Sequence, residues 1–451
     1  MVPARRLYQL LLLGTAIALA VALFDWQNTA LLQVVLVLTL LYDGALLALA
    51  LVDATRGRSQ RVRVSREVAQ KLSIGRQNLV RLTLTTGASG TSGTTSEQRP
   101  IRVQIRDQYP AAFRAEPPVL KLELPSTAEE SVTYTVFPSE RGQFEFGDVI
   151  VRQLGPWGLA WQEWRIAQKA TVAVYPDLMG LQELSIRLAI QTTGNIRKTR
   201  RAGMGTEFTE LREYYTGDDP RLIDWKATAR RSRLLVRVLE PEQEQTVMVL
   251  LDRGRLMTAQ VEGITRFNWG MNAALSLALA GLNRGDRVGV GVFDRDMQLW
   301  VPPERGQTHL TKLIERLTPL QPALLEPDYL KAVTIATSQQ HRRALVVMLT
   351  DVVDETASAE LLAALQRLRP RYLPFCVTLR DPQVDAIAHA HASPNIPAAY
   401  NRAVALDLLA QRRVALAKLK QRGVLVLDAP ANQITDHLVE RYLQVKARNL
   451  L

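Results

Sequence analysis

The chain has 451 residues, 47% of them hydrophobic and 22% charged, with a formal net charge of +12. That apolar content excludes wholesale disorder, and the length calls for two or three domains rather than one. The single cysteine, Cys376, excludes an intrachain disulfide, and five scattered histidines with no Cys-x-x-Cys pair exclude a zinc site of the usual spacing.

The N-terminus opens with two apolar runs, residues 7–24 ("LYQLLLLGTAIALAVALF") and 30–52 ("ALLQVVLVLTLLYDGALLALALV"). Each is long enough to cross about 30 Å of hydrocarbon as a helix, and "DWQNT" between them makes the pair a tight hairpin. A cleaved signal peptide explains one such run but not a second directly behind it. Arg5 and Arg6 precede the first run; Arg56, Arg58, Arg61 and Arg63 follow the second; the connecting loop has no basic residue. The expectation is therefore a multi-pass membrane hairpin with both termini cytoplasmic and Trp26 outside. Residues 1–53 hold two arginines against three aspartates, a balance of −1 that leaves +13 for the remainder. Such a charge suits an anionic lipid surface or nucleic acid. Asp43 lies inside the second span, where a carboxyl is costly; it is expected to be protonated or bonded within the hairpin, to Thr15 or Thr39.

Over residues 60–175 the period changes to two. "NLVRLTLTT", "PIRVQIRDQ", "VLKLELP", "SVTYTVFP", "QFEFGDVIVRQL" and "ATVAVYP" alternate apolar with polar between Pro and Gly turns, which predicts an antiparallel β-sandwich. Residues 87–98, "GASGTSGTTSEQ", read as a flexible loop, and "GPWGLAW" (155–161) as a tight corner packed on a neighbour.

Residues 176–243 contain the densest charge. In "REYYTGDDPRLIDWKATARR" (212–231), Asp218 or Asp219 is expected to cap a helix with Pro220 at its first position. That helix should run about three turns, with Leu222, Trp225 and Ala229 forming one apolar stripe, and "RLLVRVLE" should follow as an edge strand. Three chemistries are open. Asp218, Asp219 and Asp224 could hold a metal for hydrolysis, but no base accompanies them in a recognisable spacing and no phosphate loop occurs. Residues 197–237 hold eleven basic and six acidic residues, with "RKTRR" sharply basic, yet acids interleave the rest and no stacking aromatics repeat, so nucleic acid is the weaker fit. The reading favoured is a docking element fixed by Arg–carboxylate pairs.

From residue 244 the pattern alternates strand and helix. The runs 245–252, 286–294, 343–351, 371–379 and 423–430 are apolar on both faces, which indicates parallel strands buried under helices. Helical patterns lie at 265–283, 308–318, 326–340, 358–369, 400–422 and 432–447. The expectation is an α/β doubly wound domain over 244–451, and Asp252 and Asp351, each ending a strand, should face one rim.

The strand–Asp start, "DRVGVGVFD" and the "LTD" end resemble a von Willebrand factor A-type domain. The block "GTEFTELREYYTGDDPRLIDWKATARRSRLLVRVLEPE", followed by "VMVLLDRGRLM", resembles the bacterial membrane-anchored family catalogued as domain of unknown function fifty-eight; "ERGQFEFGDV", "GPWGL" and the two spans fit its layout. The resemblance implies a partner-docking motif on Arg212, Glu213, Tyr214, Gly217, Asp218, Arg221, Asp224, Trp225 and Arg230. It implies a scaffold or adaptor rather than an enzyme, acting with a MoxR-type AAA+ ATPase to assemble or activate other complexes. The alternatives are a metal-dependent ligand-binding A-type domain and a membrane-tethered nucleic-acid binder or hydrolase. For a metal, the A-type pattern implies Mg²⁺ on Asp252 and Asp351. The serine places hold Gly254 and Leu256, and the threonine loop falls near "QPALLEPDYL", which offers Glu326 and Asp328 instead. Without a metal, the two aspartates are expected to cap loops or pair with Arg253 or Arg255.

Overall fold

The protein is seen in a computed structural model that describes residues 2–24, 29–57, 62–86, 100–124, 129–194, 207–240, 244–338, 340, 342–354, 356, 358–390 and 396–448. The inter-span loop with Trp26, Arg58, Arg61, the 87–98 segment and the 197–201 basic run lie outside the described residues. The chain forms two compact units, Met1–Tyr175 and Pro176–Leu451.

In the first unit, α1 (Arg5–Phe24) and α2 (Thr29–Gly57) are each long and apolar enough to cross a membrane. Their outer faces expose leucines throughout, among them Leu12, Leu19, Leu36 and Leu40. The helices approach closely at Gly14, where a Cβ would meet the Tyr42 ring at 2.4 Å; the Tyr42 hydroxyl donates to the Leu10 carbonyl at 3.1 Å. The expected threonine partners of Asp43 do not reach it. Thr15 donates to the Leu12 carbonyl and Thr39 to the Val35 carbonyl, because a helical threonine finds its nearest acceptor one turn back. Asp43 Oδ1 has no hydrogen-bond partner among the described residues.

The strands of this unit are β1 (Val2–Pro3), β2 (Val62–Val68), β3 (Lys71–Ser73), β4 (Asn78–Thr86), β5 (Ile101–Asp107), β6 (Phe113–Glu116), β7 (Leu120–Leu124), β8 (Glu129–Pro138), β9 (Gly142–Phe146), β10 (Val149–Leu154), β11 (Ala160–Ile166) and β12 (Ala170–Tyr175). They form sheets of order β1-β11-β10-β5-β7, β2-β4-β8-β6 and β3-β12-β9. The expectation of an all-antiparallel arrangement is corrected at one place: β3 runs parallel to β12. The alternation does what period two demands. In β4, Val80, Leu82 and Leu84 are buried while Leu79 is exposed. The larger two sheets are joined by polar chemistry as well as packing. Arg66 on β2 pairs with Asp107 on β5 at 2.5 Å, and Tyr134 on β8 donates to the same carboxylate at 2.6 Å. Burial raises the Asp107 pKa above the usual carboxylate value, against the opposing pull of Tyr134 and Arg66.

The neighbour of the "GPWGLAW" corner is the end of α2. Asp53 is fully buried there, and its carboxylate accepts from the backbone N–H groups of Trp157 at 2.8 Å, Leu159 at 2.9 Å and Ala160 at 3.3 Å. Gly155 is required by this approach, since a Cβ on it would lie 2.4 Å from the carboxylate. Arg56 lies over the Trp157 ring, 4.8 Å from its centroid.

The second unit begins with α3 (Leu178–Gly194). A separate two-stranded hairpin follows, β13 (Glu207–Glu213) with β14 (Leu235–Glu240), the short helix α4 (Trp225–Arg231) lying in its connection. The main sheet comprises β15 (Thr246–Asp252), β18 (Arg287–Phe293), β19 (Met297–Glu304), β20 (Leu345–Thr350), β21 (Leu373–Arg380) and β22 (Leu425–Pro430). A small ladder, β16 (Gln260–Val261) with β17 (Ile264–Thr265), precedes α5. The helices are α5 (Arg266–Asn283), α6 (Gln307–Leu317), α7 (Tyr329–Ser338), α8 (Ala359–Arg367), α9 (Pro382–His389), α10 (Ile396–Gln421) and α11 (Ile434–Ala447).

The sheet order is β19-β18-β15-β20-β21-β22, parallel except for the antiparallel edge β19. Val247, Val249 and Leu251 point to one face, packed by α3, α5, α6 and α11; Met248 and Leu250 point to the other, packed by α7, α8 and α10. Helices on both faces explain why the strands are apolar at consecutive positions. The first strand lies inside the sheet, so the connections diverge between β15 and β20.

Candidate functional site: a charge-locked hairpin and a rim filled by guanidinium groups

The opening of the hairpin connection is built by its own acids. Asp219 caps a 3₁₀ turn over Pro220–Leu222, accepting from the Arg221 N–H at 2.9 Å with Pro at the first position. The chain then turns extended at Ile223, and Asp224 caps α4 through the Ala227 N–H at 3.0 Å. The expected three-turn helix is thus two short helices, because a second capping carboxylate at 224 starts a new one. The expected apolar stripe faces no core: α4 buries no residue, and Trp225 is 68% exposed.

Asp218, Asp224 and Glu213 are engaged within the hairpin. Asp218 accepts from the Tyr215 N–H at 2.8 Å and from Arg212 at 2.8 Å. Those two interactions hold its carboxyl below the usual range. Asp224 is held low by the Ala227 N–H and by Arg237 at 2.9 Å. Arg233 reaches Glu213 at 2.7 Å. Gly217, at φ +113°, makes the turn that only glycine adopts freely. Tyr214 is tied by its N–H to the Leu234 carbonyl at 3.0 Å. Arg221, Lys226 and Arg230 stay exposed, as does Tyr215 at 63%. The arrangement spends its carboxylates on shape and presents aromatic rings among cations.

Asp252 and Asp351 meet at the carboxyl rim of the main sheet, where the connections diverge. Asp252 Oδ1 accepts from the Gly254 N–H at 2.7 Å; Oδ2 accepts from Thr350 Oγ1 at 2.7 Å and from the Tyr329 hydroxyl at 3.1 Å. Burial pushes this carboxyl up to about 6. Asp351 pairs with Arg412 through Oδ1 at 2.6 Å and with Arg266 through Oδ2 at 2.5 Å. Arg412 also reaches Asp428 at 2.9 Å. Burial would lower the pKa of Arg412, but Asp351 and Asp428 outweigh it and raise it. Arg253 and Arg255 turn elsewhere, to Asp294 at 2.9 Å and Glu326 at 2.8 Å. Asp328 caps α7 through the Lys331 N–H at 2.8 Å.

This donor set does not fit Mg²⁺, which needs a near-octahedral oxygen shell. All four carboxylate oxygens already accept hydrogen bonds, and both Asp351 oxygens are held by guanidinium groups. Gly254 cannot be replaced by a serine ligand without movement: a Cβ there would lie 2.7 Å from the Leu325 carbonyl oxygen. Among the described residues no group of three His, Cys, Asp or Glu side chains is placed to hold a metal. Sequence reasoning missed Arg266 and Arg412. The signal was present for Arg412, a charge on the apolar stripe of α10 with Leu409 and Leu416.

A mixed α/β chain with two N-terminal apolar helices and a charge-locked hairpin ahead of an open sheet is the class this geometry defines. Residues 210–391, from the hairpin through α9, match the model of a family described as protein of unknown function DUF58. Uncharacterized proteins of Mycobacterium bovis and Mycobacterium tuberculosis are 22% identical over 183 residues, 40% of this chain and 57% of each relative. Among solved structures, the hypothetical protein BatB of Bacteroides thetaiotaomicron is 14% identical, covering 45% of this chain and 99% of that one at a TM-score of 0.30. The SpRpn10 VWA domain is 12% identical, covering 44% and 94% at 0.28.

Proposed function

We propose that this protein is a membrane-anchored scaffold that binds other proteins through its second unit, with the hairpin Glu207–Glu240 as the docking element. The observation that carries the reading is Trp225, exposed at the start of α4 while every acid near it is held in an internal cap or ion pair. An exposed Trp in the same connection as the exposed Tyr215, Arg221 and Arg230 has the composition of an interface hot spot rather than of a solvated loop. The reading includes the inner-membrane location with cytoplasmic termini, which basic residues flanking the spans support. It also includes an α/β unit of the von Willebrand A type working without a metal. The partner the family resemblance suggests is an AAA+ ATPase of the MoxR type. A binding role is favoured over a catalytic one because the hairpin acids are committed to structure.

Crosslinking and pulldown of the full chain from native membranes, with and without ATP, tests it. Wild type should enrich an ATPase, and Trp225→Ser with Arg230→Glu should lose it. Equal recovery by the variant would sink the docking role of the hairpin.

A further inference from the structure

Helix α4 turns four neighbours outward together. Trp225, Lys226, Ala229 and Arg230 are all exposed, and positions one and four apart share one side of a helix. Ala227 and Thr228 are half-buried on the other side, where Thr228 Oγ1 accepts from the Leu235 N–H of β14 at 3.1 Å. The helix contains no acid, and Lys226, Arg230 and Arg231 make no ion pair among the described residues; the ion pairs of the hairpin use Arg212, Arg233 and Arg237 instead. Arg230 and Arg231 stand in the last turn, where the helix dipole favours cations. Lys226 does not share that benefit. It stands in the first turn, at the positive end, and one turn from the like charge of Arg230. Nothing among the described residues offsets this repulsion, whereas a carboxylate arriving from outside between the two cations does.

We infer that this face takes an acidic protein segment, with a partner carboxylate seated between Lys226 and Arg230 and partner apolar side chains over Trp225. The inference rests on the docking reading of the hairpin and names the chemistry of its partner. Charge complementarity selects the occupant. Residues 207–240 hold seven basic and seven acidic residues, a balance of zero, so the cationic face of α4 is local. A nucleic acid or an anionic membrane carries its charge over a wide surface and would meet the exposed Glu210, Glu213 and Asp219 as well as the cations. A cationic patch the size of one helix face, with an aromatic ring in it, fits an anionic patch of the same size on another protein.

The test uses the full chain in native membranes, with Ala229 replaced by the photocrosslinker p-benzoylphenylalanine. After irradiation, mass spectrometry identifies the adduct. It should be a protein segment with Asp or Glu within one helical turn of the crosslinked residue. Its yield should fall as salt rises. It should also fall about thirtyfold on Trp225→Ser and about a hundredfold on Lys226→Glu with Arg230→Glu. Changing the segment's carboxylates to lysine should restore the yield with the charge-reversed chain, which a hairpin that had merely unfolded would not allow; failure of that rescue overturns the inference. So does a phospholipid or nucleic-acid adduct, a protein segment without acids, or a yield that charge reversal leaves unchanged. If no adduct forms, or Trp225→Ser leaves its yield unchanged, the docking reading itself fails, and this inference with it.

Discussion

At Asp351 one carboxylate is shared by two arginines, and its environment explains why the rim dispenses with a metal. Removing Arg412 leaves Asp351 and Asp428 short of a counter-ion in a nearly dry site. Breaking a buried pair this way costs about 3–5 kcal/mol. Arg412→Leu should therefore lower the urea midpoint markedly, whereas Arg255→Leu, whose partner Glu326 is exposed, should change it little. Asp252 gives a second prediction. Its folded pKa of about 6 lies above the ordinary carboxylate value of 3.8, so the folded state binds more protons in between. This group favours folding most below about pH 4, and that advantage is lost as pH rises through about 6. The difference is on the order of 3 kcal/mol. Stability of wild type relative to Asp252→Asn should then fall between pH 4 and pH 7; a flat difference would contradict the assignment. Asp218 and Asp224 have the opposite sign. Their pKa values are depressed, so their contribution is present above about 3.8 and is lost only in more acid solution.

At the scale of elements, the informative failures of prediction lie where a polar group decided. Alternation and apolar runs announced β4, β8, β15, β18 and β20 within a residue or two, because periodicity follows which faces are covered. The break between the 3₁₀ turn and α4 was not legible, since both Asp219 and Asp224 are competent caps and propensity alone cannot choose. The edge strand β19, "MQLWVPPE", was missed because two prolines weaken its strand signal, and an edge tolerates them. The α2 end and the "GPWGLAW" corner make a testable joint. Gly155→Ala forces a Cβ against Asp53, and Asp53→Ala leaves two buried N–H groups and a part-buried one without their acceptor. Each unsatisfied group costs about 1–3 kcal/mol, so both variants should show early proteolysis near residues 155–160. Protection equal to wild type would show that the joint is dispensable.

For the whole molecule, the absence of a fitting donor set at the rim predicts that millimolar Mg²⁺ or Mn²⁺ leaves the melting temperature of the full chain unchanged and gives no binding heat. A tight site would raise stability by mass action. A saturable heat lost on Asp351→Asn would overturn the guanidinium account.

The order of residues by itself determined the two apolar helices, the change from period two to buried parallel strands, and the acids and cations crowded between 212 and 231. These depend on neighbours within a few positions along the chain. Only the tertiary structure decided that Arg266 and Arg412, 85 and 61 positions away in sequence, would close on Asp351, and that Trp225 would be left outside. A charge pair across a sheet is set by which strands become neighbours, and side-chain exposure by what else arrives to cover it. Neither quantity is written in local spacing.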